Sequence, residues 1–392
     1  MKILMVAPRF SPRSGGGGFV VTNNLCKELV KRGHNVAVWT SDYESDLPFW
    51  QKEYVGNPQI LPFATEFTLA GFHVTLELIK FAEMSFRLAK DAFSLKLPWG
   101  FNAIHLQGCR TFQNIVVYHY ARKYKIPYIV EAHGFPIQGT WLYKLVLKAF
   151  DIMFANKIVR NASMCIAETE TGKKEYLRAG VKEDRIRIIP CPYDLSIFDN
   201  LPERGKWRNR HNVPSGAKII GFLGGLDKIK GLDFLTKTFA NVCQEKDDIL
   251  VLAGTDMGFK KELEVLIKDL RIGGHVIFTG YISGRDKLEF LVDCDVCVFP
   301  SRAEQGLPFA ALESMMCGTP IIVTSGTGAA EDVSRMGCGQ VVKFGDEEEL
   351  GLAIKLASND KIGVKNGQKY IRANLSMDVN VKKYEEVYRQ AI

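Results

Sequence analysis

The chain has 392 residues, 46% hydrophobic and 24% charged, a globular composition that excludes disordered and fibrous classes and suits two cores better than one. No apolar run reaches the roughly 18 residues that suggest a membrane-spanning helix. The net charge of +7 resides in one half: residues 1–200 hold 25 Lys/Arg against 18 Asp/Glu, whereas residues 201–392 hold 26 of each. Such an excess points the first half toward an anionic partner, a membrane surface or a phosphate-bearing acceptor.

The opening MKILMVAPRF is broken by Pro8 and Arg9, too early for a signal peptide, and reads as a buried first strand. Short β-branched runs then alternate with longer helical stretches, the pattern of parallel α/β units. One series of strands is expected at 2–7, 35–40, 103–106, 127–132, 163–168 and 186–190. A second is expected at 218–223, 249–254, 276–280, 295–300, 320–324 and 340–344. Most are continuous apolar runs, as in strands covered on both faces. The polar, basic stretch NLPERGKWRNRHNVPSGA (200–217) reads as a linker. The expected organisation is therefore a first Rossmann-like domain at 1–199, the linker at 200–217, and a second Rossmann-like domain at 218–375. A terminal helix at 376–392, with Val379, Tyr384, Val387 and Tyr388 at helical spacing, is expected to return to the first domain. Two doubly wound domains facing across a cleft place the chemistry in loops at the carboxyl ends of strands.

The loop after the first strand contains Gly15, Gly16, Gly17 and Gly18 just before a helix, where backbone can approach a ligand and free amides favour anions. In the second half, FLGGLDKIKGLDF (222–234) is a strand, a glycine turn and a helix, with Lys230 placed to meet a diphosphate. The segment FPSRAEQGLPFAALESMMCGTPIIVT (299–324) ends a strand, passes through an acidic loop and starts a helix near Pro308. Glu313 lies within that helix, where its carboxylate could accept bonds from ribose hydroxyls. The nine cysteines are scattered and odd in number, which suits a reducing cytosol. Cys294 and Cys297 form a CxxC, but a three-residue offset on a strand directs the thiols to opposite faces and argues against a metal. Asp293-Cys294-Asp295 mimics a metal-binding DxD, yet it runs straight into a strand.

At these residues the chain resembles the family 4 retaining glycosyltransferases of GT-B architecture. The resemblance runs through the glycine loop, VKRGHNVAVWTSD (30–42), IHLQG (104–108), EAHG (131–134) and the stretch from IAETETGKKEY to RIRIIPCPYDLSIF (166–198). It continues through GGLDKIKG (224–231), 299–324 and SGTGAAEDV (325–333). It implies that His133 faces the donor sugar, that Lys230 touches the donor diphosphate, and that Glu313 binds the ribose. Amides around Gly306 and Leu307 would meet sugar and diphosphate, and the glycine loop would line the acceptor side. It further implies transfer of a hexose or N-acetylhexosamine from a nucleoside-diphosphate sugar to a saccharide or lipid-linked acceptor, without metal or cofactor. The implied setting is the cytoplasm, or the cytoplasmic face of a membrane, and no nucleic acid is implied. Three positions depart from the pattern. Gly225 stands where the family usually has arginine, and Cys191-Pro192 stands where it has asparagine-glycine. Counting eight back from Glu313 lands on Gln305, with Glu304 one residue earlier; Glu304 is expected to be the working carboxylate and Gln305 an accessory. These departures keep two rival readings open, a non-catalytic nucleotide-sugar-binding subunit and a sugar-nucleotide 2-epimerase.

Overall fold

The computed structural model describes residues 1–7, 17–41, 59–63, 100–133, 141–214, 216–242, 247–303, 306–357 and 360–392. The chain divides into two compact units, Met1–Asp194 with Leu375–Ile392, and Leu195–Asn374.

The first unit is built on a seven-stranded sheet of order β3-β2-β1-β4-β5-β6-β7. Its strands are β1 (Lys2–Ala7), β2 (Asn35–Ser41), β3 (Gln59–Phe63), β4 (Ala103–Gln107), β5 (Tyr128–Glu131), β6 (Met164–Ala167) and β7 (Ile186–Ile188). Every pairing is parallel. Strands β1, β4, β5 and β6 are buried on both faces because helices cover both sides, and Ile3, Leu4, Met5 and Val6 are fully buried. Strand β3 has no counterpart in the sequence reading. It contains Pro62, which lacks a ladder donor and is tolerated because β3 is the edge strand.

The second unit carries a six-stranded parallel sheet of order β10-β9-β8-β11-β12-β13. The strands are β8 (Ile219–Leu223), β9 (Ile249–Ala253), β10 (Val276–Gly280), β11 (Val296–Phe299), β12 (Ile321–Thr324) and β13 (Gln340–Val342). In each sheet the strand order reverses beside the first strand, between β1 and β4 and between β8 and β11. Ligands bind at such switch points, beyond the carboxyl ends of the strands.

Residues 200–217 are not a linker. Trp207 is fully buried and packs against Phe290 and His211. Asp293 accepts the backbone amides of Gly205 and, at 2.8 Å, Arg208, while Asp295 accepts Arg208 Nη2 at 2.9 Å and the Ile219 amide at 2.9 Å. The apparent DxD is thus a clamp that fastens 204–219 to the second unit, and the composition of the segment hid a buried tryptophan anchor.

The terminal helix Met377–Ala391 belongs to the first unit, where Val381, Tyr384, Val387 and Tyr388 join the cluster of Ile3, Met5, Leu25 and Val38. Val381 faces inward, whereas Val379 is exposed. Tyr193 and the start of this helix exchange backbone bonds, Tyr193 N to Leu375 O at 2.8 Å and Met377 N to Tyr193 O at 3.0 Å. Glu385 fixes the helix from its side. It accepts Arg32 Nε at 2.8 Å and Nη2 at 3.0 Å, and His34 Nε2 lies 2.9 Å from it.

The bond from Arg32 is the main reason that the Glu385 pKa falls from 4.5 to about 2; burial opposes it and His34 adds to it. A depressed carboxylate stabilises the fold above its unfolded-state value and loses that contribution as pH falls toward the folded value. Glu385→Gln is expected to lower the stability of the first unit by roughly 1.5–3 kcal/mol at neutral pH. The difference between variant and parent should vanish by about pH 2 in denaturant titrations. A constant difference from neutrality to pH 2 would show that packing, not charge, fastens the helix.

Candidate functional site

The carboxyl ends of four neighbouring strands in the first unit converge on one polar network. Gln107 ends β4, Glu131 ends β5 with His133 two residues beyond, Glu168 follows β6, and Cys191 lies just past β7. Glu131 is a fully buried carboxylate. It accepts the Tyr384 hydroxyl at 2.6 Å and Gln107 Nε2 at 3.2 Å, with His105 Nε2 at 3.3 Å. Burial alone would raise its pKa. The bond with His105, the charges of His133 and His105, and the Tyr384 hydroxyl together hold it below its ordinary value. His105 is in turn fixed by Tyr388, whose hydroxyl lies 2.9 Å from Nδ1.

Because Gln107 turns its amide nitrogen to Glu131, its carbonyl oxygen is presented to His133 Nε2, which therefore donates to it. The other ring nitrogen, Nδ1, lies 2.5 Å from Glu168 Oε1. Burial opposes a charged ring here, but the charge and hydrogen bond of Glu168, reinforced by Glu131, raise the His133 pKa to about 9. His133 has φ 49°, in the left-handed region that non-glycine residues seldom occupy. Its neighbours over-determine that turn: the Tyr176 hydroxyl accepts the Ala132 amide at 2.9 Å and donates to Val130 O at 3.1 Å. Strain held at a strand end in this way is common at functional sites.

Gly15 and Gly16 lie outside the described residues, and the helix begins at Gly17. Gly18 is exposed, and its carbonyl accepts the Thr22 hydroxyl at 2.8 Å; the same hydroxyl lies 3.2 Å from Gln107 Oε1. The glycine-bearing helix start is thereby tied to the His133 network.

In the second unit the lysine turn and the start of helix Phe309–Met316 follow the two strands at the switch point. The turn Lys228–Lys230 ends at Gly231, where a Cβ would lie 2.0 Å from Pro300 O. Only glycine lets Lys230 sit so close to the end of β11. Gly225 abuts Met257, whose Cγ occupies the space of a side chain there. Glu313 is buried and pairs with Lys287 Nζ at 2.6 Å. The Leu307 amide, which the resemblance assigns to a ligand, donates to Asp332 Oδ2 at 2.9 Å. Gly306 is half-buried beside it. Glu304 and Gln305 lie outside the described residues.

Sequence reasoning gave no role to Gln107, Glu131, Glu168 or Lys287, and it marked Cys191 only as a departure from the family pattern. A polar residue closing or directly following an apolar strand was the available signal for Gln107, Glu131 and Glu168. Lys287 sits on an ordinary-looking amphipathic helix and gave none. The reading of the CxxC is corrected. Strand β11 starts only at Val296, so Cys294 lies in the preceding turn, and both thiols converge on Gly221, where a Cβ would lie 2.6 Å from Cys294 Sγ and 3.2 Å from Cys297 Sγ.

Residues 15–197 match the family described as Glycosyltransferase Family 4, and residues 203–374 match the one described as Glycosyl transferases group 1. An uncharacterized glycosyltransferase of Methanocaldococcus jannaschii is 26% identical over 406 aligned positions, covering 100% of this chain and 99% of that protein. The alpha-monoglucosyldiacylglycerol synthase of Streptococcus pneumoniae is 24% identical over 82% of this chain and 70% of its own. The crystal structure of Anabaena HepE in complex with UDP-glucose superposes with a TM-score of 0.75 at 19% identity, covering 98% of both chains. The fold is the GT-B architecture of glycosyltransferases. The chain belongs to family 4 of these enzymes, the group 1 glycosyl transferases.

The network makes a quantitative claim on the terminal helix. Tyr384→Phe removes one donor from a buried carboxylate and is expected to cost roughly 1.5–3 kcal/mol. Equilibrium unfolding by urea measures this; a loss below about 0.5 kcal/mol, the range of an ordinary surface change, would contradict the role of the hydroxyl.

Proposed function

We propose that the protein is a retaining, metal-independent hexosyl- or N-acetylhexosaminyltransferase. It takes the sugar from a nucleoside-diphosphate donor and delivers it to a saccharide or lipid-linked acceptor in glycan biosynthesis. The observation that carries this reading is His133, held in a strained turn at a strand end with both ring nitrogens facing acceptors. A ring fixed that way is a preorganised positive charge, suited to the negative charge that develops on a departing phosphate. Departure and attack on the same sugar face let a phosphate oxygen deprotonate the acceptor, so no protein base is required. In the second unit Lys230 is assigned to the diphosphate and Glu313, oriented by Lys287, to the ribose. Gly225, Gly306 and Leu307 are assigned to the backbone wall of the donor site. Glu304 is assigned as the carboxylate that orients sugar hydroxyls, with Gln305 beside it. Glycines 15–18 are assigned to the acceptor side. The nucleotide-sugar complex of Anabaena HepE and the lipid product named for the Streptococcus synthase support this choice of donor and acceptor classes.

The acceptor reading extends to a surface. Trp141–Phe150 and the following turn 151–155 expose Trp141, Leu145, Ile152 and Met153 together with Lys144 and Lys148. Lysines among large apolar side chains suit a reversible contact with an anionic membrane on the cytoplasmic side. The stretch 67–93, which motivates the same reading, lies outside the described residues. No described helix is long and apolar enough to cross a membrane.

His133→Ala should lower kcat far more than donor affinity, because a charge matched to the transition state acts on the rate. Equal losses in both would contradict that assignment. Glu313→Gln, which spares Lys287 a wholly unpaired burial, should weaken donor binding about tenfold or more in calorimetry. Lys230→Ala should also weaken free nucleoside diphosphate. Normal binding of the nucleotide by both variants would remove them from the donor site. Co-sedimentation with anionic liposomes should fall above about 0.15 M salt, where screening acts over about 8 Å, and Trp141→Ser with Ile152→Ser should abolish it. Equal recovery on neutral vesicles would sink the electrostatic part.

A further inference from the structure

His133, Glu168 and Cys191 bring three different donor atoms to one point. One imidazole nitrogen of His133, a Glu168 carboxylate oxygen and the Cys191 Sγ all lie within 4.8 Å of one another, and all three residues are partly accessible. They come from the ends of β5, β6 and β7, three adjacent strands of one sheet, so the spacing is set by rigid elements rather than by a single loop. Zinc bonds to nitrogen, oxygen and sulfur are about 2.0–2.3 Å, which places tetrahedral donors about 3.4–3.8 Å apart. To take that spacing around an ion, the 2.5 Å contact between Nδ1 and Glu168 Oε1 has to open.

The outer contacts point the same way independently. A metal-bound histidine usually donates its second ring N–H to a carbonyl or carboxylate, which fixes the ring and leaves the other nitrogen to the metal. Here Nε2 donates to the Gln107 carbonyl, and Gln107 is itself fixed through Nε2 to the buried Glu131 at 3.2 Å. Nδ1 is therefore the nitrogen available to a metal, and it is the one turned toward Glu168.

We propose that His133 Nδ1, Glu168 and Cys191 form a binding site for a thiophilic divalent cation of the zinc type, with one coordination position left open. On binding, the Cys191 thiol and the His133–Glu168 pair each release a proton to solvent, and the thiolate and carboxylate neutralise the ion's two charges. The site is no cofactor of the transfer reaction. It consumes the His133 ring, so occupancy is a state that blocks turnover, a corollary resting on the role proposed for His133 above.

The probe is Co²⁺ added to the chelator-stripped, full-length protein, followed by displacement with Zn²⁺. One equivalent should produce a thiolate-to-cobalt charge-transfer band that Zn²⁺ abolishes. Cys191→Ser should lose the band, which separates this thiol from the other cysteines. Glu168→Gln, which keeps side-chain volume and serves if the serine variant fails to fold, should weaken Zn²⁺ at least tenfold, and Gln107→Leu should weaken it about tenfold through the ring. Cobalt binding without the band, or unchanged Zn²⁺ affinity in both Cys191→Ser and Glu168→Gln, would overturn the site. A band that forms while the zinc-loaded enzyme keeps full turnover leaves the site standing and removes His133 from catalysis.

Discussion

A single buried charge organises the first unit. The Glu131 carboxylate has no solvent, so every partner it keeps is needed to offset its desolvation: Tyr384 from the last helix, and both Gln107 and His105 from the neighbouring strand β4. Strand β4, strand β5 and the last helix are otherwise far apart in the chain. Satisfying one carboxylate therefore selects the register of β4 against β5, the seating of the last helix, and the orientation of the Gln107 amide. The proton arrangement at His133 follows from that orientation.

The second unit uses an ion pair differently. Lys287 and Glu313 join two neighbouring helices, and the pair fixes a carboxylate near the sheet's switch point instead of anchoring a core. Pairs of this kind add little net stability, because desolvation cancels much of the Coulomb gain. Their value lies in geometry. A carboxylate already oriented by an ammonium loses less entropy when a ligand hydroxyl arrives. Both units thus hold buried carboxylates in fixed orientations, one through a network with the terminal helix and one through a helix pair.

The strands were readable because a parallel sheet covered on both faces imposes continuous apolar runs, and KILMVA, ILVLAG and PIIVT announce themselves. Strand β3 was not, since an edge strand with Pro62 lacks that imprint. Residues 200–217 misled for the opposite reason: the segment is polar by composition, but Trp207 and the amides caught by Asp293 and Asp295 bind it to the second unit. At the site, His133, Lys230 and Glu313 stood out by motif. Glu168 and Cys191 did not, because their meaning arises only when β5, β6 and β7 lie side by side. Lys287 is tied to Glu313 by the crossing of two helices, which no local pattern records.

The backbone exchange between Tyr193 and residues 375–377 shows that the second unit is inserted into the first, with entry and exit side by side. On the ribosome this imposes an order. The inserted unit is complete once residue 374 has emerged, whereas the first sheet must wait with a buried acid and no Tyr384 until residues 375–392 leave the exit tunnel. A message truncated within that final helix would yield a polypeptide with one finished globule and one sheet exposing an unsatisfied carboxylate at its centre. Quality control would meet a half-native molecule.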